Sequence, residues 1–518
     1  MGLSPSTPLA TFPARPVWPR GLPRSLWLQD ALAAEALDPA AAQGSKAPPA
    51  PVGRVDVCVV GGGFTGLWTA LALHERDPSL TILVLEADIC GGGASGRNGG
   101  FVMTAWSKFS SLSKLCGEAD ALRYAQACEA AVGAIGRFCA ENEIDGQFNQ
   151  AGWLWTATND AQLGAWDAAL TAIAATGAAP YELLTPGEVA ERTGSTAHRA
   201  GVFERASATF HPARVARGLA AVARRRGITV LESTAVRAIH HGTPLRIETS
   251  RGELRADTAL LALNAWTAAL PEARDALVVT SSDIVATDPI PERLDAIGWE
   301  RGLSISDSRR LVSYYQRSTA DRIVFGKGGG ALAFNGRVHD GFHGVSERAS
   351  EVQGGLRYAY PQLSDVPAPH SWRGPIDYSV SGVPFIFRVG GHPAVLAATG
   401  FSGNGCGPAH VVADAMAAAA LGQTSETFPE ALWRVPSSPL PSEPIRYLGG
   451  RLVRAAIARK EHAEDSGRTP GRLTATVAGL DPTGFVDRGG GAVVGGVDSS
   501  TPPPGLDAGD APITGSTG

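Results

Sequence analysis

The apolar positions along the first ninety residues change rhythm three times. Residues 1–24 have no period and are broken by Pro13, Pro16, Pro19 and Pro23, so a surface arm is expected there. Ser25–Leu37 has the spacing of a short amphipathic helix led by Trp27, and a linker with Pro and Gly runs on to Gly53. Val55–Val60 is then a continuous apolar run bounded by glycines, which predicts a parallel strand covered on both faces. Helical spacing returns at Leu67, Ala70, Leu71 and His74 within Phe64–Glu75, and Leu80–Leu85 is a second apolar run. Strand, glycine turn, helix and strand make a βαβ unit.

Farther on, Ala119–Glu141 reads as helix and Gly152–Thr156 as strand. Val215–Val230 repeats a helix-then-strand pattern, with Arg224, Arg225 and Arg226 where cations suit a helix C-terminus. An Arg-rich helix is expected after Arg451, and from Gly479 the chain has little to bury and is expected to be disordered.

With 518 residues, 44% of them hydrophobic, the chain can build two ordinary cores. A net charge of -5 supplies no electrostatic footprint for nucleic acid, which favours a small-molecule partner. No run of about 18 apolar residues exists, so no membrane span is expected. Arg15, Arg20 and Arg24 precede no apolar core of a signal peptide. Six scattered cysteines without metal-ligand spacing read as reduced thiols in a cytoplasmic protein with no metal site.

The turn inside the βαβ unit carries the chemistry. Gly61, Gly63 and Gly66 form GxGxxG directly between strand and helix, and Glu86 closes the second strand 20 residues past Gly66. These are the parts of a dinucleotide site: glycines for the turn, the approach of pyrophosphate and helix packing, a helix N-terminus for the phosphates, and a carboxylate for ribose hydroxyls. A nicotinamide or a flavin dinucleotide fits this unit equally well. A second glycine-dense stretch, GGGASGRNGG at Gly91–Gly100, puts small residues where another flat group must be approached, and this favours a flavin.

The runs VDVCVVGGGFTGLWTALAL, VLEAD and GGGASGRNGG resemble the D-amino acid oxidase superfamily, which includes glycine, sarcosine and γ-glutamylputrescine oxidases. GITVLESTAVRAI, ADTALLALNAWT and VLAATGFSGNGCG extend the likeness over roughly Ser25–Gly422. The resemblance implies an α/β fold, with a Rossmann-type FAD-binding domain interleaved with an α+β substrate domain containing a mixed sheet. The FAD domain would occupy 53–105, 200–270 and 383–425, and the substrate domain 106–199 and 271–382. An N-terminal arm, short helix and linker (1–52), a helical extension (426–478) and a tail (479–518) complete the chain. The implied FAD contacts are Gly61, Gly63, Phe64, Thr65, Gly66, Glu86 and Ala87; Ala94, Ser95, Gly96, Arg97, Asn98, Gly99 and Gly100; Val236; Asn264, in place of a common glycine; and Gly400, Phe401, Ser402, Gly403, Asn404, Gly405 and Cys406.

For substrate the resemblance points to the strand pair that holds Tyr314, Tyr315, Arg317 and Lys327. Strand alternation lets only one of the pairs Tyr315/Arg317 and Tyr314/Gln316 face the pocket. The competing reading has Arg317 paired with Asp321 across a hairpin. In WRGPIDYSVSGVP, the position where amino acid oxidases carry a carboxylate-binding arginine holds Ile376, and no cysteine stands at Pro375–Asp377 for a covalent flavin link. The implied function is FAD-dependent oxidation of a C–N bond in a primary or secondary amine without an α-carboxylate, of polyamine or aminophosphonate type. O2 or another acceptor would take the electrons, and the imine would hydrolyse. Oxidation of glycine, sarcosine or a D-amino acid is the alternative, followed by NAD(P)H-dependent hydroxylation and a non-catalytic flavoprotein. His211, before Pro212, reads as structural, and His410 as a candidate for the flavin edge.

The missing cysteine predicts noncovalent FAD. Acid precipitation should leave the yellow colour in the supernatant; flavin retained on the pellet would point to Cys406 or Cys90 as the attachment site.

Overall fold

The computed structural model describes residues 8–12, 24–37, 53–437 and 440–480. Its first layer is a nine-stranded sheet. Five strands run parallel in the order Thr229–Leu231, Ile82–Leu85, Arg54–Val60, Gly252–Leu261 and Val395–Thr399. The apolar run at 55–60 does form the central strand, and its alternation shows why it is continuous. Val57 and Val59 enter a core with the helices Phe64–Arg76 and Pro212–Arg225, while Cys58 and Val60 enter a second core on the opposite face.

An antiparallel meander, Val236–His240, Leu245–Thr249 and Gly252–Leu261, extends this sheet. Its edge is covered by Pro8–Thr11, which pairs Ala10 with Ile239 and Thr11 with Ala238. The expected surface arm is thus, at residues 8–11, a strand of the sheet. Pro8 is tolerated because it begins an edge strand, where its missing N–H interrupts no ladder. The other prolines of the arm and the tail from 481 onward lie outside the described residues. Leu26–Leu37 is helical as the spacing predicts, with Leu26, Trp27, Leu28 and Ala31 buried.

The second layer is an eight-stranded mixed sheet ordered His370–Ser379, Leu277–Ala286, Ile323–Lys327, Ser313–Arg317, Ser304–Asp307, Trp153–Ala157, Ala200–Glu204 and Tyr181–Leu184. The segment expected to open the second FAD stretch at 200 begins with a strand of this second sheet. Ala200–Glu204 pairs with Trp153–Ala157 and Tyr181–Leu184, a non-local choice that no spacing within AGVFE encodes. The long helix Glu118–Glu141, assigned by analogy to the substrate domain, packs into the core beneath the first sheet. After residue 425 the chain forms helices Ile445–Asp465 and Arg472–Ala478, and the first of these bonds back to the second layer through Glu461 and the backbone N–H of Leu311.

Candidate functional site

A continuous cavity of about 1150 Å3 runs between the two sheets. At one end the GxGxxG turn behaves as its spacing predicts. Gly61 has φ +115°, and a Cβ there would lie 2.4 Å from the carbonyl oxygen of Ala262. A Cβ on Gly66 would lie 2.0 Å from the oxygen of Gly61, so this glycine lets helix meet strand. Gly63 faces the cavity and has no side chain of its own to cap the helix it begins, so that helix N-terminus can face an anion. Ser95 closes the turn by accepting the Phe64 N–H at 2.9 Å.

Glu86 is buried beside this turn, its carboxylate held by the N–H groups of Gly62 and Asp88, both at 2.8 Å. Ala87, Val236, Thr234, Ala235 and Phe12 complete that end of the cavity. The stretch from Gly91 to Gly100 forms the next wall, with its carbonyls tied outward. Gly96 O accepts from Ser25 Oγ, Arg97 O from Trp372 Nε1, Asn98 O from Trp27 Nε1 and Gly99 O from Gln316 Nε2. The opposite side of the cavity is lined by Phe401, Ser402, Gly403, Asn404, Gly405 and Cys406. Asn264 also lines it, at φ +48°, a left-handed conformation that explains why glycine is common there and why Asn can replace it.

An extended turn with an open helix end, a carboxylate at the second strand and a long cleft beyond it fit a dinucleotide carrying a flat ring. Gly66, Gly96, Gly100 and Gly400 are set back from the cavity surface. Gly66 acts through close packing, and Gly400 donates its N–H to Asp377 at 2.6 Å.

The family-defining pattern of FAD dependent oxidoreductases matches residues 56–419. The chain belongs to this family. It is similar to γ-glutamylputrescine oxidoreductase of Escherichia coli, with 28% identity over 402 residues, 77% of this chain and 89% of that one. It is 30% identical over 415 residues to the probable oxidoreductase OrdL of Rhizobium meliloti, covering 78% of this chain and 90% of the relative. Its fold is like that of glycine oxidase from Geobacillus kaustophilus, with a TM-score of 0.62 and 20% identity over 74% of this chain and 98% of that one.

In this FAD dependent oxidoreductase the second sheet roofs the cavity, and strand alternation separates the two tyrosines. Tyr314 lines the cavity, its ring lying across the backbones of Gly326 and Gly99. Its hydroxyl is 2.7 Å from Ser282 Oγ, and burial pushes its pKa up. Tyr315 points the other way, stacked on Phe325 at 4.8 Å with its hydroxyl 2.6 Å from His198 Nε2. Arg317 is on that same far side, bound to Asp321, Asp295 and the carbonyl of Trp299, as the hairpin reading has it. Lys327 reaches only the carbonyl of Leu311 and does not line the cavity. Of the four residues singled out for substrate, the structure thus brings Tyr314 alone to the site.

His211 accepts the Arg214 N–H as a helix cap, and His410 packs edge-on against Trp68. Among the described residues no histidine lines the cavity.

Two features escaped the sequence reading. Asp377 is fully buried on the cavity wall, and one oxygen accepts from Gly400 N–H, Thr399 Oγ1 and Phe401 N–H. Burial pushes this carboxyl up to about 6, against the downward pull of those donors. The available signal was a lone acid among Pro375, Ile376 and Tyr378 in the strand His370–Ser379. The second feature is a wall formed by helix Phe109–Cys116 and the 306–312 turn, carrying Lys108, Lys114, Arg309 and Arg310 among several serines. Asp307, its one carboxylate among the described residues, is paired with Arg309.

Two expectations follow. Gly63→Val places a branched side chain where the pyrophosphate must approach and should give colourless protein; stoichiometric FAD in the purified variant would show that the phosphates lie elsewhere. Asp377, when folded, keeps its proton to higher pH than in the unfolded chain, so its contribution is full below about pH 4 and is lost as pH rises to about 6. The loss is on the order of 3 kcal/mol. Thermal melts of the apoprotein at pH 4 and pH 7 should differ less for Asp377→Asn than for the parent, and identical pH dependence in the two would refute the assignment.

Proposed function

We propose that this enzyme oxidises the C–N bond of a primary or secondary amine whose anionic group, where it has one, lies away from the reacting carbon. Noncovalent FAD is the group that suits the cavity, and when bound it supplies the two-electron acceptor. The chain's task is then to orient a neutral amine and exclude water. Tyr314, Ser282 and the backbone of Gly374 offer a dry, hydrogen-bonding roof for this, with no acid–base pair needed beside it.

The observation that carries the reading is Ile376 on the cavity wall together with the fate of the arginines around it. Arg373 turns to Asp283 and the carbonyl of Gly341, Arg348 also turns to Asp283, and Arg317 is held by Asp295 and Asp321. An α-carboxylate beside Ile376 would be buried without a partner from any of them. Arg97, also on the cavity, is bound to His343 and the carbonyl of Gly92, and the other lining cations, Lys108, Lys114, Arg309 and Arg310, stand on a different wall. Strand Ser304–Asp307, which leads into that wall, is next to the Tyr314 strand, and the strand of Trp153 and Trp155 is one farther, so the wall begins about 5–10 Å along the sheet. An amine with a carboxylate several bonds away fits both ends, and the name of the E. coli relative describes such a compound, γ-glutamylputrescine.

Steady-state kinetics should rank γ-glutamylputrescine above putrescine, and both above glycine and D-alanine, by kcat/KM. The penalty for an unpaired buried carboxylate is roughly 2–5 kcal/mol, thirtyfold or more in affinity. Arg310→Glu should raise KM for the acid-bearing amine and leave putrescine unchanged. If glycine or D-alanine proves the best substrate the proposal fails, and Arg97, which lines the cavity, becomes the residue to replace.

A further inference from the structure

We infer that the N-terminal segment, which lies outside the family match beginning at residue 56, is part of the FAD-holding machinery and supports the cofactor cavity at two places. The inference rests on the cavity being the FAD site. It is drawn from two separate pieces of chain, Pro8–Phe12 and Arg24–Leu37.

The first piece reaches the end of the cavity with Glu86 and Val236. Pro8–Thr11 is zipped onto Val236–His240, Ala10 is buried in the sheet's core, and the Phe12 N–H donates to Arg237 O at 2.8 Å. This pairing delivers the half-buried Phe12 ring to the cavity wall. Glu86 is placed for the ribose, so the ring borders the region beyond it, where the adenine belongs. An aromatic face there offers sequence-independent stacking to a base.

The second piece backs the glycine stretch. Ser25 Oγ donates to Gly96 O at 2.6 Å and Trp27 Nε1 to Asn98 O at 2.9 Å, while Leu28 fills the space in front of Gly96. Arg24 makes a two-pronged ion pair with Asp88 at 2.8 and 3.0 Å, and Asp88 donates its N–H to Glu86. The helix therefore fixes both the Gly91–Gly100 wall and the turn that presents the ribose carboxylate. Each contact leaves the cavity side of the loop free, as a positioning element must.

The test is FAD titration of full-length apoprotein, followed by flavin fluorescence, with melting of the same apoproteins as the structural control. Phe12→Ala should weaken FAD about tenfold, the scale of one base–aromatic contact, with the apoprotein melting point nearly unchanged. Trp27→Phe keeps the packed ring and removes the bond to Asn98 O; it should weaken FAD severalfold. Parent-like FAD affinity in both variants, with or without a lower melting point, would overturn the inference and leave the segment a structural brace. Failure of the parent chain itself to bind FAD would overturn the FAD reading of the cavity and the inference with it.

Discussion

Four consecutive carbonyls, those of Gly96, Arg97, Asn98 and Gly99, hold the cavity in shape. Each is claimed by a side chain: Ser25 and Trp27 from the start of the N-terminal helix, Trp372 and Gln316 from two strands of the second sheet. A glycine-rich stretch without such partners would sample many conformations, at an entropic cost of roughly 1–2 kcal/mol for each residue fixed on binding. Here that cost is met during folding. The bonds also turn the carbonyl oxygens outward, so the cavity side is left to Gly93, Ala94, Ser95 and Gly99 together with the Arg97 and Asn98 side chains. Because Trp372 and Gln316 belong to the roof, the same bonds set the spacing between the two sheets.

That spacing gives the strand alternation its functional weight. The Ser313–Arg317 strand presents Tyr314 and Gln316 to the loop and cavity, while Tyr315 and Arg317 enter a closed layer with Trp299, Phe325 and Tyr360. Tyr315 is 1% exposed, and its hydroxyl is satisfied by His198, whose own pKa burial lowers to about 4. A one-residue slip of this strand would bury Tyr314 and put Arg317 in the cavity, exchanging a neutral roof for a cationic one. The glycines at 99 and 326 guard the register, since any Cβ at either position would enter the Tyr314 ring.

The legible parts of the molecule were those with local grammar. The GxGxxG turn, its strand and Glu86 need only a few neighbouring residues to define them, and spacing alone placed them correctly. Asn264 was picked out by the resemblance to the family, and its positive φ supplies the reason that Asn can stand there. The illegible parts depend on pairing across hundreds of residues. Nothing in AGVFE says that Ala200–Glu204 joins the second sheet, and nothing in PLAT says that a proline-rich arm contributes a strand. The two-fold choice at Tyr314 and Tyr315 was visible, but only the burial of one face decides it. Asp377 was overlooked because its role is to accept N–H groups from a loop more than 20 residues away.

The placement of charge completes the argument about specificity. Asp283 is wholly buried in the roof, and Arg348 and Arg373 both turn to it. A buried carboxylate of this kind cannot be left without a counter-charge, because truncating one partner of such a pair costs about 3–5 kcal/mol. Arg373, itself buried, shares Asp283 with Arg348 and donates to the carbonyl of Gly341, which turns its guanidinium away from Ile376. On the far face of the sheet Arg317 is held by the partly buried Asp321 and the exposed Asp295. Near Tyr314 the roof consequently presents hydroxyls and apolar surface, a setting that favours the neutral form of an amine over its ammonium. Arg310 and Lys114 are exposed residues on the cavity's other wall. The buried Asp283 thus helps to keep the roof's guanidinium groups turned from the cavity without lining it itself.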